Sequence, residues 1–283
     1  MNVFTLDTEN MTDYVYFLTP DIAENIGRTY YRGIVVEEGD GEPVAAMVWE
    51  VRNVLSGGPK ESNIIFFRLD EEDAADLLFD RYKEEIAKDE VALSRYSLRA
   101  KALLKEKMAL KTAGFSQKLM EGDTIRTKLI DISRLSFLQK NKAGDSVQSL
   151  CYMTQRGLNT GIKRFVNKGK FGICEDIAYL PRSYFDNDVS TYSEEDGMVN
   201  GLFLVHKMPS GGIKVLMMGA FGTNASKDMV RMIIKALEKA LPVYPPETEV
   251  LIDRHNYAAL AISEKLFPTG FGYPVFMGER KEG

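Results

Sequence analysis

The sequence predicts a mixed α/β fold made of two similar halves in tandem, and two observations carry that prediction. Asp-Gly turns at Asp40–Gly41 and Asp196–Gly197 each separate two runs of strand character, Gly33–Glu38 from Pro43–Val51 and Val189–Ser193 from Met198–Val205. The turns stand 156 residues apart, and the glycine pairs that follow them, Gly57–Gly58 and Gly211–Gly212, stand 154 apart. Register kept within two residues over that distance points to an internal duplication.

The elements can be justified in order. After the first strand pair, Ile64–Phe67 forms an apolar run. From Glu72 to Lys88, Ala75, Leu78, Phe79, Tyr82 and Ile86 recur at three- and four-residue spacing, which makes one apolar helix stripe. Leu93–Leu98 has the length of a strand, and Ala100–Ala113 reads as a helix stopped by Gly114. Thr124–Ile132 alternates like a strand. Gln139–Gly144 is polar and small enough to be a linker, which places the domains at 1–138 and 139–283. In the second half a helix is expected from Asp145 through Phe165, then the strand pair, a strand over Lys214–Gly219 and an amphipathic helix over Asp228–Leu241. Pro242, Pro245 and Pro246 bar its continuation. Glu249–Ile252 is a short strand, and Asn256–Phe267 a last helix with Asn256 as its N-cap. The same order of elements runs through both halves.

Composition narrows the function. The chain has 283 residues, 45% hydrophobic and 27% charged, which is ordinary for a globular protein that buries its own core. Cys151 and Cys174 lack CxxC spacing and neighbouring histidines, so neither a zinc site nor a redox pair is expected, and no metal is assigned. Acidic residues at Asp7, Glu9 and Asp13 do not fit a signal peptide, and no apolar run reaches the ~18 residues of a membrane span. A cytoplasmic protein with reduced thiols, making no membrane contact, is the expectation. With 36 basic and 41 acidic residues and a net charge of −5, nucleic acid is not an expected partner. The densest basic stretch, Lys163 and Arg164 through Lys168 and Lys170, reads as a solvated face. Trp49 alternates with Met47 and Val51 and reads as core. No Rossmann fingerprint is present.

Three strands, a helix, a strand, a second helix and a closing strand, twice over from about Tyr14 to Phe276, resemble the GNAT-type acyltransferase superfamily as two tandem GNAT-like domains. The most specific match is Asn256, Ala259, Leu260, Ile262, Glu264, Lys265 and Leu266, which resemble that family's late helix, N-x-x-A-x-x-L-Y-E-K-L-G-F. Ser263 stands where the family has the tyrosine that protonates the departing thiolate, and Phe267–Pro268 where it has Gly-Phe. In the first half Gly114–Phe115 fits the helix end, but Leu110 takes the tyrosine's place.

The resemblance implies acetyl-CoA or another acyl-CoA in the gap between the splayed strands, with its pyrophosphate on a helix N-terminus, where free amides and the dipole favour anions. The family's loop, Q/R-x-x-G-x-G/A, is absent from both halves. The first has Asp70–Asp73, four carboxylates that repel phosphate; the second has a small, polar run whose candidate cofactor-binding residues are Met218, Gly219, Gly222, Thr223, Asn224, Ala225, Ser226 and Lys227, with Asn256. Catalytic candidates are Ser263, as a replacement proton donor, and His206, at a strand end. Tyr192, Asp253 and His255 are further candidates. The leading expectation is N-acyl transfer from acyl-CoA to a small-molecule or peptide amine by the second half, with the first as scaffold. Two alternatives stand beside it: a non-catalytic tandem module that binds a ligand or a protein, and an unrelated α/β fold with the same element order.

Overall fold

The computed structural model describes residues 1–53, 59–99, 104–120, 124–167, 175–254 and 257–283. The chain divides into two compact units, Met1–Gly122 with Pro274–Gly283, and Asp123–Tyr273.

The first unit opens with β1 (Asn2–Thr5) and the short helices α1 (Val15–Leu18) and α2 (Pro20–Ala23), then a meander of β2 (Tyr31–Glu37), β3 (Pro43–Asn53) and β4 (Lys60–Leu69). After it come α3 (Ala74–Lys88), β5 (Val91–Arg99), α4 (Leu104–Thr112) and β6 (Lys118–Met120), and the last strand of the chain, β13 (Val275–Lys281), completes the sheet. The order is β1-β2-β3-β4-β5-β13-β6, with β4 and β5 parallel.

α3 forms where its stripe was read, burying Leu78, Phe79, Tyr82 and Ile86 against the sheet. Trp49 is 0% exposed and meets Tyr82 edge-on at 4.9 Å, as a core residue should. The Tyr82 hydroxyl bonds Ser62 Oγ and Ser94 Oγ, each at 2.8 Å, and these serines face one another across the β4–β5 pair. Burial pushes the Tyr82 phenol up to about 12, although the two serine bonds pull it down. The folded state therefore keeps a proton that the unfolded chain releases near pH 10. The stabilisation, about 3 kcal/mol for a shift of this size, is complete below pH 10 and disappears as pH rises towards 12. Relative to Tyr82→Phe, which has no group to titrate, wild-type protein should therefore lose about 3 kcal/mol of stability as pH rises from 10 through 12 in urea titrations. A difference unchanged at pH 11.5 would show that the phenol is not held protonated.

The second unit contains β7 (Thr124–Lys128), α5 (Leu129–Ser133), α6 (Ser136–Gln139), β8 (Val147–Ser149), α7 (Gln155–Asn167), β9 (Thr191–Glu195) and β10 (Met198–Lys207). It continues with β11 (Ile213–Ala220), α8 (Ala225–Ala240), β12 (Glu249–Asp253) and α9 (Tyr257–Leu266). Its sheet runs β7-β12-β11-β10-β9-β8, with β11 and β12 parallel. α8 buries Met229, Met232, Ile233 and Ala236 on one face of the sheet, while Leu158, Ile162 and Phe165 of α7 pack with Leu202, Leu204 and Met217 of β10 and β11.

Several boundaries differ from the sequence expectation. The helix expected from Asp145 begins at Gln155, because Val147–Ser149 pairs with β9 instead and Thr154 Oγ1 accepts the Gly157 amide at 3.1 Å to start the helix. The strand expected over Thr124–Ile132 ends at Lys128 and turns into α5. Gly114 does end α4, at φ +90°, with the Phe115 amide returning to the Leu110 carbonyl.

The units also divide differently from the linear split at 138/139. β7 follows the first unit in sequence, yet all five of its residues pair with β12. β13 lies between β5 and β6, far from its neighbours in sequence. Each sheet thus takes in a strand that the linear order of the chain assigns to the other half. Gly57–Gly58 of the repeat lies outside the described residues.

Candidate functional site

Both units splay their parallel pair at equivalent points. β4 and β5 stay paired only from Lys60↔Val91 to Ile64↔Tyr96, and β11 and β12 only from Ile213↔Val250 to Val215↔Ile252. Immediately beyond, each third strand has one extra residue against its other neighbour: Ile65, since Val48 faces Phe66 and Trp49 faces Ile64, and Leu216, since Leu204 faces Met217 and Val205 faces Val215. A bulge bends its strand and increases local twist, so it swings the strand away from its parallel partner. A second bulge recurs at Val44 and Asn200, whose carbonyls accept the amides that follow the third strand, Asp70 and Phe221, at 2.8 and 2.7 Å. The halves therefore share their irregularities as well as their elements.

What lies at the open end separates them. In the first unit Leu69 leads directly into Asp70–Asp73 and α3. The Leu69 amide is taken by Glu106 Oε1 at 3.2 Å, and Glu106, 4% exposed, projects from α4 with its Oε2 buried and unpartnered. Lys105 Nζ donates to the Asp70 carbonyl at 2.7 Å, and Arg68 pairs with the Asp70 carboxylate at 2.8 Å. The amide that the splay frees is bonded by the protein itself. A groove of about 400 Å³ remains between α3 and α4, and its charged walls carry three carboxylates, Glu72, Asp76 and Asp80, against Lys83, which pairs with Asp80, and Lys105, which is bonded to the Asp70 carbonyl. Neither feature suits a polyanion.

In the second unit β11 runs into Phe221, Gly222, Thr223 and Asn224 before α8 begins at Ala225. Gly222 adopts φ +89°, and a Cβ there would meet nothing within 4 Å. Gly222, Thr223, Asn224, Ser226 and Lys227 are exposed and Ala225 half-buried. The Ala225 amide bonds the Gly222 carbonyl and the Asp228 amide the Asn224 carbonyl; among the described residues, Ser226 and Lys227 find no backbone acceptor. Asn224 occupies the N-cap position without a side-chain capping bond. Amides of a first turn left this way point towards solvent and favour an anion.

Charge follows the same division. The first unit has 17 basic and 25 acidic residues and the second 19 and 16, a balance of −8 against +3 that sums to the chain's −5. If the first unit takes no part in anion binding, reversing Glu71 and Glu72 to lysine leaves acetyl-CoA affinity within about twofold by calorimetry. A large change in either direction would move the site to the first unit.

The remaining residues singled out in the sequence are distributed as follows. Met218 and Gly219 lie on the splayed part of β11, opposite Phe203 and Leu202. The Met218 side chain lines an apolar cavity of about 40 Å³ with Val215, Ile252 and Phe267, so only its backbone is suited to a polar ligand. Ser263 is 0% exposed on α9 and donates its hydroxyl to the Leu260 carbonyl at 2.9 Å. His206 is buried, stacked on Tyr184 at 4.1 Å with Nδ1 2.7 Å from the Tyr184 carbonyl. It faces Lys214, six residues before Ala220 on β11, or about 20 Å along the strand from the turn. Tyr192 bonds Gln148 Oε1 at 2.8 Å, and its phenol is raised by burial first and by Glu194 second. Asp253 ends β12 opposite Thr124. The structure thus gathers Met218–Lys227 into one strand-turn-helix, gives Ser263 and His206 internal partners, and places His206 far from the turn. Asn256, His255, Cys174, Lys168 and Lys170 lie outside the described residues. Among the described residues no three His, Cys, Asp or Glu side chains are grouped to hold a metal ion. No helix among them is long and apolar enough to cross a membrane.

No protein-family model matches the chain, and no curated protein matches its sequence. Solved structures do match. A tandem GNAT protein from the clavulanic acid biosynthesis pathway, solved without acetyl-CoA, is similar over 100% of this chain and 99% of its own, with a TM-score of 0.59 at 10% identity. A GCN5-related N-acetyltransferase from Anabaena variabilis is similar over 98% of this chain and 72% of its own, with a TM-score of 0.51 at 10% identity. A probable N-acyltransferase from Enterococcus faecalis is similar over 99% and 72%, with a TM-score of 0.52 at 11% identity. The chain has a tandem GNAT-type fold, two mixed α/β domains in one polypeptide.

Proposed function

We propose that the second unit is an acyl-CoA-dependent N-acyltransferase domain and that the first is its scaffold. The observation that carries this reading is the combination, in the second unit alone, of a splayed parallel pair with an open, small-residue turn at the start of α8. Acetyl-CoA is the simplest donor. Its pyrophosphate would take the amides and dipole of the Gly222–Lys227 turn, and its pantetheine would lie along the unpaired edge of β11 from Leu216 to Ala220. A small-molecule or peptide amine is the acceptor class, and the cytoplasm, where acyl-CoA is made, is the setting.

In such a transfer the amine nitrogen attacks the thioester carbonyl, the C–S bond breaks, the thiolate leaves and the amine loses a proton. The Ser263 hydroxyl is committed to Leu260 and His206 lies near the other end of β11, so in this reading both protons exchange with solvent. Positioning then supplies the main catalytic effect. The same observation favours a second reading, a tandem module that binds acyl-CoA or a related anion without turning it over. An assay of free-thiol release from acetyl-CoA across a panel of amines separates them. Turnover above the hydrolysis background with any amine supports the transferase, whereas tight binding with no turnover supports the module.

A further inference from the structure

The turn before α8 is held from beneath by contacts that neither the motif pattern nor the family resemblance pointed to. The Phe221 amide donates to the carbonyl of Asn200 at 2.7 Å, and Asn200 is the residue that β10 extrudes between Val199 and Gly201. Arg164 Nη1, from α7, donates both to the Val199 carbonyl at 3.0 Å and to Asn200 Oδ1 at 3.1 Å. Asn200 Nδ2 in turn donates to Glu195 Oε2 at 3.0 Å. Above them the Phe221 ring stacks on Phe165 at 4.1 Å, with the Arg164 guanidinium 5.6 Å from its centroid.

The other unit provides an internal comparison. The bulge at Val44 keeps the backbone half of this arrangement, accepting the amides of Asp70 and Glu71. It lacks the side-chain half, since valine offers no amide and Asp70 pairs with Arg68 instead. Among the described residues, the combination of an arginine on a bulged asparagine with stacked aromatics is found in the second unit; in the first, Arg68 instead donates to the Phe17 carbonyl and lies 4.0 Å over the Phe17 ring.

We propose that Arg164, with Asn200 and Phe221, is a positioning set that fixes the turn and the N-terminus of α8 against the end of β11, so that the amides converge on the pyrophosphate of acyl-CoA. The inference rests on the acyl-CoA reading above. Arg164 acts through the Val199 carbonyl and the Asn200 side chain and touches no ligand. Both bonds leave Nη1 while the same planar guanidinium lies beside the Phe221 ring, 5.6 Å from its centroid, and a lysine ammonium does not reproduce that combination of bonds and ring contact.

The test uses the full chain with Arg164→Lys, Arg164→Gln, Phe221→Leu and Phe221→Tyr, each first checked for folding by far-UV circular dichroism and melting. Acetyl-CoA affinity is measured at several salt concentrations, and hydrogen exchange over residues 221–227 is measured without ligand. Positioning predicts that Arg164→Lys and Arg164→Gln both weaken binding about tenfold or more with the wild-type salt dependence, and that exchange over 221–227 quickens. Phe221→Leu should do the same and Phe221→Tyr should bind like wild type. If Arg164→Lys binds normally and only Arg164→Gln is weak, with a shallower salt slope, Arg164 is a direct charge contact and the positioning proposal fails. Normal binding and exchange in both Arg164 variants also overturn it, while leaving the acyl-CoA reading intact. A wild-type protein that does not bind acetyl-CoA removes the acyl-CoA reading and the proposal's ligand half together; unchanged exchange in the variants would then remove the structural half too.

Discussion

Deleting Pro274–Gly283 should unfold the first unit. β13 is an interior strand, with seven residue pairs to β5 and three to β6. Val275 is buried, and Arg280 donates to the Ala113 carbonyl at the end of α4 at 3.0 Å while pairing with Glu282 at 2.8 Å. Removal exposes two strand edges and the apolar cluster with Tyr96, Leu98 and Phe115 that Phe276 packs against. A domain of this size is held by roughly 5–15 kcal/mol, and burial of one large apolar side chain contributes about 1.5–3 kcal/mol, so losing a strand with its ladder removes most of the margin. Urea unfolding followed by tryptophan fluorescence reports this unit alone, because Trp49 is the only tryptophan and lies in its core. The truncated chain should show Trp49 solvent-exposed without denaturant, or a midpoint far below that of the intact chain. An unchanged midpoint would mean that β13 is dispensable.

The second large effect is at Gly222. Gly222→Asp should weaken acetyl-CoA binding by at least tenfold, because it places a carboxylate in the turn assigned to pyrophosphate. Two unit charges about 4 Å apart repel by about 4 kcal/mol at an intermediate effective dielectric, reduced by salt, and each tenfold loss corresponds to about 1.4 kcal/mol. The positive φ of Gly222 adds strain for any other residue. Gly222→Asn is therefore the control, sharing the shape and the strain without the charge. The expected order of affinity is wild type, then Gly222→Asn within a few-fold, then Gly222→Asp well below both. Equal affinities for the two variants would remove charge at this turn from the account, and unchanged affinity in both would remove the turn itself.

The parts of the fold that depend on local pattern were legible in the sequence. The stripe of α3, the Asp-Gly hairpins and the stop at Gly114 follow from spacing and turn chemistry, and the repeat followed from their recurrence. The strand exchange was not legible. Thr124–Lys128 has strand character, but nothing local in it selects β12 as partner, and the same holds for Val275–Lys281 with β5 and β6. The bulges at Ile65, Leu216, Val44 and Asn200 fall between consecutive strands at residues with no special turn chemistry, and the long-range contact they create is equally silent: Arg164 reads as one charge on a solvated face, yet it reaches into β10. Glu106 was hidden for a similar reason: an acidic residue on a polar helix gives no sign that it meets the Leu69 amide in the core. At the candidate site the small-residue turn was visible from its composition. The internal hydrogen bonds of Ser263 and His206 required the structure.

The proposed function requires one acyl-CoA site per chain, within Asp123–Tyr273. Calorimetric titration of the full chain with acetyl-CoA, repeated on Gly222→Asp and on the Glu71→Lys/Glu72→Lys variant, tests it most directly. The account predicts one site per chain, lost or greatly weakened in the first variant and preserved in the second. No heat of binding in the wild type, two sites per chain, or loss in the second variant with retention in the first would contradict it.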